Sequence, residues 1–403
     1  MSKRFELSIS VDYVQTWRVW EAVRELWQNA LDFGEHNWTW ESLELKGKSN
    51  VLRIISKNVQ LEKKSLLLGT STKRDDSKNI GKWGEGYKLA ALVLTRMGKQ
   101  VKIYNNKACE MWTPKIIKSR RYNSDLLVVD VTSHVPDDLC NNDLVFEITG
   151  LTKAEWDEVM EKNLNITPLK KHTSTSFGEI LFDKKFVGKV FVGGLFVCDV
   201  PVKGYRYGYN IKPQHIELDR DRQSVRGFNF QWMTSQMWEE VVRTTNQRNS
   251  LVFQLIDGNA PDVLYFNNFS GKNSSDIISN IFLNKHGTKS VAVSSDDDLK
   301  QAKRMYGDSV IPVVVSENQR DILKKSEVYQ DNIKSIEVIS VSRKSPRGIV
   351  SEIYNKLYEI RPHATELSSG GLLYDEGNVE EYKKEVARAF NKLIAISGEW
   401  RWD

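Results

Sequence analysis

Two short stretches constrain this chain more than any other part of it. Glu25-Leu26-Trp27-Gln28-Asn29-Ala30-Leu31-Asp32 places Glu, Asn and Asp at i, i+4 and i+7, on one face of a helix. Further along, Gly81-Lys82-Trp83-Gly84-Glu85-Gly86-Tyr87-Lys88 sets close-approach glycines just before a helix start, with a cation in its first turn. Backbone N–H groups at such a start are unpaired, and the helix dipole favours an anion there. The first stretch can position water through Glu25 and hold Mg²⁺ through Asn29; Asp32 can bond a ribose, a cap or a basic neighbour. The second can cradle phosphate. In this order they make an ATP-binding domain the leading reading. Each alone has a plainer one: amphipathic helices carry solvated polar faces, and glycines mark tight turns. The loop is not a Walker A loop, since no Gly-Lys-Ser/Thr follows it. Nor is it a dinucleotide fingerprint, since no strand leads straight into it. The polar run Thr70–Asn79 precedes it, as a lid over bound phosphates would.

Around these stretches the pattern is mixed. Trp17, Trp20, Val23, Trp27, Ala30 and Leu31 return at helical spacing and predict a helix over 15–33. Val51–Ile55 reads as a strand and Leu61–Leu68 as a short helix or turn. Leu89–Leu94 starts a buried helix. Strands follow at Val101–Tyr104, Ala108–Trp112, Leu126–Val131 and Leu144–Ile148. Helix, strand, loop, helix and consecutive strands describe an α+β fold, a sheet with helices on one face. Further strands are expected at Gly178–Phe182, Lys189–Val192 and Leu195–Val200, with a hairpin at Gly193-Gly194, and helix at Phe230–Gln247. The last stretch alternates strands (Ser290–Val293, Val310–Val315, Ile336–Ser340) with helices (Pro346–Tyr358, Val379–Ile396). Asn268–Ser275 has the most linker-like composition.

The ordered motifs Glu25-x-x-x-Asn29-Ala30-x-Asp32, Gly69-Thr-Ser-Thr-Lys73 and Ile80-Gly-Lys-Trp-Gly-Glu-Gly-Tyr-Lys88 resemble the GHKL ATPases, which share the Bergerat nucleotide-binding fold. The resemblance covers about residues 10–150. The run Gly84–Leu94 also looks like stand-alone members found in bacteriophages and bacteria. The resemblance implies a Bergerat-type α/β sandwich over 1–170, a transducer-like α/β domain over 175–270 and a small mixed C-terminal domain over 285–403. It implies ATP and Mg²⁺ as cofactors, with Glu25 activating water and Asn29 binding the metal. Asp32, Lys73, Gly81, Gly84, Gly86, Tyr87 and Lys88 would complete the nucleotide site. Such proteins use slow hydrolysis to switch conformation or dimer state; the alternative is a non-hydrolysing protein of this fold that docks onto another macromolecule. The family's Asp-x-Gly-x-Gly element, whose Asp contacts adenine, is replaced here by Ile54-Ile-Ser-Lys-Asn-Val-Gln-Leu-Glu62. Ser56 or Asn58 would have to substitute, as a weaker, uncharged acceptor. The later strand that usually carries Gly-Thr reads Asn142-Asp143-Leu-Val-Phe-Glu147. In several members a basic residue of the second domain reaches the γ-phosphate; Arg220 or Arg222 of Asp219-Arg-Asp-Arg222 could do so. The plainer reading is a surface turn whose charges pair with each other.

Composition adds exclusions. The net charge of +5 over 403 residues permits nucleic-acid binding without arguing for it. Cys109, Cys140 and Cys198 are scattered, with no zinc spacing or disulfide framework. A cytoplasmic setting is expected. No signal peptide or membrane span is expected, and no HExxH is present. Trp400 and Trp402 flank Arg401 and could stack on bases, but a docking or packing tail is the plainer reading, since the pair stands without a basic groove to track a backbone.

Overall fold

A computed structural model of the chain describes residues 2–43, 47–67, 86–134, 142–200, 202–216 and 227–342. The chain divides into two compact units, Met1–Met237 and Trp238–Asp403.

The first unit opens with β1 (Lys3–Ser10), α1 (Val19–Phe33), β2 (His36–Glu41) and β3 (Val51–Ser56). It continues with α2 (Gly86–Arg96), β4 (Gln100–Asn105), β5 (Glu110–Ser119), β6 (Ser124–Ser133), β7 (Leu144–Thr149) and α3 (Lys153–Lys162). These strands form one seven-stranded sheet in the order β1-β6-β5-β4-β7-β3-β2, with every neighbour antiparallel. Alternation along the strands separates two faces. One carries Leu52, Ile54, Ile103, Trp112, Leu127, Val129, Phe146 and Ile148 into a core shared with all three helices. The other is a charged ladder: Arg53 donates to Glu147 at 2.8 Å, and Arg4 meets Asp130 through two bonds of 2.7 and 3.0 Å. The expected α+β arrangement, helices on one face of a sheet, is what the chain forms.

Local chemistry sets the helix limits. The backbone N–H of Arg18 donates to Glu21 Oε2 at 2.7 Å, a carboxylate on the positive end of α1. Gly34, at φ +101°, ends the helix. Arg96, in the last turn of α2, gathers the carbonyls of Val11, Tyr13 and Val14 within 3.0 Å and so fixes the connection that feeds α1. Thr152 and Glu155 cap α3 reciprocally, at 2.7 and 3.2 Å. Trp156 of α3 stacks on Trp40 at 4.6 Å and meets Trp38 at 5.6 Å. Edge strand β2 is thereby held against the helices.

Asp130 sits between Arg4 and Lys115, and these cations lower its pKa from 3.8 to about 2. The sign follows from that depression. The stabilisation is complete above the unfolded value and is lost as pH falls toward the folded one. Asp130→Asn is therefore expected to flatten the stability profile between about pH 4 and 2. The effect should be at most about 1 kcal/mol, because Arg4 and Lys115 are more than half exposed. Urea unfolding at stepped pH measures it.

A second sheet in the same unit comprises β8 (His172–Ser174), β9 (Gly178–Leu181), β10 (Lys189–Val192), β11 (Leu195–Asp199) and β12 (Gly208–Ile211), in the order β11-β10-β12-β9-β8. β10 and β12 are parallel. Gly193 and Gly194 turn the β10–β11 hairpin at φ +58° and +82°, a geometry that favours glycine at both positions. Helix α4 (Gly227–Thr244) follows, and Phe230 on it meets Tyr205 and Tyr209.

The second unit contains α5 (Asn249–Asp257), α6 (Phe266–Phe269), α7 (Lys272–His286), β13 (Ser290–Val293), α8 (Asp296–Tyr306), β14 (Ile311–Val314), α9 (Glu317–Lys324) and α10 (Glu327–Ser342). β13 and β14 pair in parallel around the α8 crossover. The N–H groups of Ile311 and Val315 point inward, to Lys289 and Val293. Pro312, which has no N–H, therefore takes an outward place on the edge. Two expectations are corrected here. Ile336–Ser340, read as a strand from its β-branched residues, lies in α10: Tyr329, Ile333 and Ile336 recur at i, i+4 and i+7, a helical stripe whose burial overrides local propensity. The linker-like Asn268–Ser275 instead ends α6 and opens α7. The helices expected at Pro346–Tyr358 and Val379–Ile396 lie outside the described residues, as do Trp400 and Trp402. Among the described residues no helix is long and apolar enough to cross a membrane.

Candidate nucleotide-binding site

Ten of the fifteen residues of α1 are buried, and three of them are polar: Arg24, Glu25 and Gln28. Glu25 is 4 % exposed, and Arg24 Nη2 lies 3.5 Å from its Oε1. The Arg24 guanidinium also sits 5.9 Å from the Trp17 ring. The helix thus carries a carboxylate and a cation side by side among its buried residues. Asn29, one turn on, is half-buried, and among the described residues its side chain has no hydrogen-bond partner. Asp32, a further turn on, is also half-buried.

Gly86 is the first residue of α2. A Cβ placed on it would lie 2.6 Å from Glu25 Oε2 and 3.5 Å from Glu25 Cβ. The absence of a side chain at Gly86 is thus what lets the α2 N-terminus come against the Glu25 carboxylate. The carboxylate helix and the end of the glycine stretch, far apart in the chain, meet in space.

The approach to the glycine stretch is also tied down. Tyr87 Oη and Ser65 Oγ are 2.9 Å apart, and burial pushes the Tyr87 phenol up to about 12. Lys88 is 1 % exposed, and its ammonium donates to the carbonyls of Ser65 and Leu67 at 2.9 and 2.5 Å. The sequence marks Lys88 as a phosphate cation; in the structure it anchors the short 3₁₀ turn Lys63–Leu66 to α2. Leu67 and Gly86, on either side of residues 68–85, are therefore both held by α2. Lys73, Gly81, Gly84, Arg220 and Arg222 lie outside the described residues, as does the Thr70–Asn79 lid.

At the end of β3, Asn58 is exposed and takes a left-handed conformation at φ +56°. Its N–H donates to Asp143 Oδ1 at 3.3 Å, and Lys57 Nζ donates to Asp143 Oδ2 at 2.8 Å. Asp143 is 5 % exposed and precedes β7, whose Leu144 pairs with Ser56. The carboxylate at this strand end thus comes from the neighbouring strand. Asn105 bonds both backbone groups of Leu61 and holds the segment that follows. Asp143 and Arg24 are the site residues that motif reading misses. The signal for Asp143 is register, and for Arg24 it is adjacency to Glu25.

Comparison with protein-family models finds no match, and comparison with curated proteins finds none.

Proposed function

We propose that this protein binds ATP with Mg²⁺ at the junction of α1 and α2, and hydrolyses it slowly to switch conformation or dimer state. The observation that carries the reading is the contact of Gly86 with Glu25, which joins the two motif halves at one place. In it, Glu25 orients the attacking water, Asn29 supplies an amide oxygen to Mg²⁺, and the glycine stretch with the α2 N-terminus takes phosphate. Among the described residues no group of three His, Cys, Asp or Glu side chains could hold a metal ion. Mg²⁺ at Asn29 would accordingly draw its other ligands from phosphate and water, as this ion commonly does. On this reading Ser56 or Asn58 takes the place of the adenine-contacting Asp, and Asp143, bonded to Asn58, lies beside it at the end of β3.

Asp143 also favours a second reading, a binding protein without turnover that acts by docking onto a protein partner. Both of its oxygens are already engaged, by Lys57 and Asn58.

Isothermal titration with ATP and Mg²⁺ tests the site. No binding at about 1 mM nucleotide, a free energy weaker than about −4 kcal/mol, overturns it. In the same titration Gly86→Ala should weaken ATP at least tenfold, because the α2 N-terminus that takes phosphate must move away from Glu25 to admit the new methyl. Its stability cost should be about 1–3 kcal/mol.

A further inference from the structure

Residues 163–216 carry seven lysines and one arginine against only Glu179, Asp183 and Asp199, a net charge of +5. That equals the net charge of the whole chain, so the remainder is neutral. The second sheet then sorts this charge to one end. β8 begins, β9 ends, β10 begins, β11 ends and β12 begins there, as Leu181 opposite both His172 and Gly208, and Lys189 opposite Asp199, show. Lys171 O accepts from Phe182 N–H at 3.0 Å, Gly188 N–H donates to Tyr207 O at 3.1 Å, and Val200 N–H donates to Gly188 O at 2.8 Å. The Phe182 and Tyr207 rings meet edge-on at 5.3 Å. These contacts bring Lys170, Lys171, Lys184, Lys185, Lys203 and Arg206 to one rim, all exposed.

The rim is poorly neutralised. Lys189 is paired with Glu161 at 2.6 Å. Among the described residues, Lys170, Lys171, Lys184, Lys185 and Lys203 have no carboxylate within ion-pair distance; Lys185 instead lies 4.8 Å from the Phe186 ring. The cations at this end outnumber Asp183, Asp199 and Glu161, and like charges held together on fixed strand ends raise the local potential. An extended polyanion relieves that repulsion by releasing its counterions. A membrane surface fits less well, because it asks for an amphipathic helix with an apolar face. Here the cations sit on strand ends and turns, and Val187 is the exposed large apolar residue among them.

We infer that this end of the second sheet is a nucleic-acid docking surface that contacts the phosphate backbone. It reads charge and spacing, with no base selection required, and it is independent of the α1–α2 site. Anisotropy of a labelled duplex of about 20 base pairs, titrated with the full chain from about 50 to 200 mM salt, tests it. Five phosphate contacts predict a log–log salt slope of about −4.5. The variant Lys170→Ala/Lys171→Ala/Lys184→Ala/Lys185→Ala should flatten that slope by about 3–4 and lose at least tenfold in affinity at the lowest salt. Lys300→Ala/Lys303→Ala/Arg304→Ala/Lys324→Ala, the same charge change at exposed positions of the second unit, should bind as wild type. Circular dichroism checks that both variants fold. Three results overturn the inference: no binding to the duplex at the lowest salt, equal losses in the two variants, or tighter binding to phosphatidylserine vesicles or poly-glutamate than to the duplex.

Discussion

Glu25→Gln is expected to bind ATP as the wild type does and to lose hydrolysis by about 10²- to 10⁴-fold, the usual range for removing a positioned general base. The amide keeps the shape and an acceptor oxygen beside Arg24 and Gly86 but removes the charge partner of Arg24, so urea unfolding of the variant accompanies the assay to check that the fold survives. Alanine is the poorer choice at this position. It would leave a cavity and no acceptor oxygen beside the Arg24 guanidinium, in a residue 3 % exposed, and lost activity could then be lost structure. Phosphate release measured alongside titration of the same preparation separates the two proposed readings. Binding with equal release by wild type and Glu25→Gln would favour the non-hydrolysing protein and remove Glu25 from the chemistry.

Arg24→Ala should be the costlier change for stability. The Arg24–Glu25 pair is buried on both sides, with side chains 4 % and 5 % exposed. Removing one member of a buried ion pair typically costs about 3–5 kcal/mol, because the other is left charged and desolvated. Replacing both by leucine should recover most of that loss, since a buried pair is often no more stable than apolar groups of similar volume. Urea unfolding followed by tryptophan fluorescence measures the loss, with Trp20 and Trp27, buried on the same helix, among the chain's twelve tryptophans. If Arg24→Ala and the double leucine variant unfold alike, the loss comes from packing around the helix and the pair itself contributes nothing.

The parts of this fold that were legible in the sequence are those where one residue type does one job. Helix α1 shows in the spacing of its tryptophans, and β10 and β13 have the limits that their β-branched runs imply. The hairpin at Gly193-Gly194 follows from glycine alone. Other elements were harder to read. β1 carries its signal in the alternation of Phe5, Leu7 and Ile9, among charged residues that belong to the solvated face of the sheet. β2 is an edge strand whose Trp38 and Trp40 make sense only once Trp156 arrives from α3. Within the site, Glu25 and Gly86 were visible as motif positions, but their contact depends on how α1 and α2 pack. Lys88 looks like a phosphate ligand because it is a cation after glycines. Its burial against two carbonyls is set by the turn at 63–66, which the sequence marks only faintly.

Pro312 has a bearing on how the protein behaves in concentrated solution. Ile311 and Val314 are 57 % and 83 % exposed on an edge strand, and a short β-branched run of that kind is ordinarily a template for further strands. A strand added there would need the outward donor that Pro312 lacks. The exposed edge thus lacks one of its outward donors, a missing proton that makes it a poorer template for an added strand than its apolar side chains suggest.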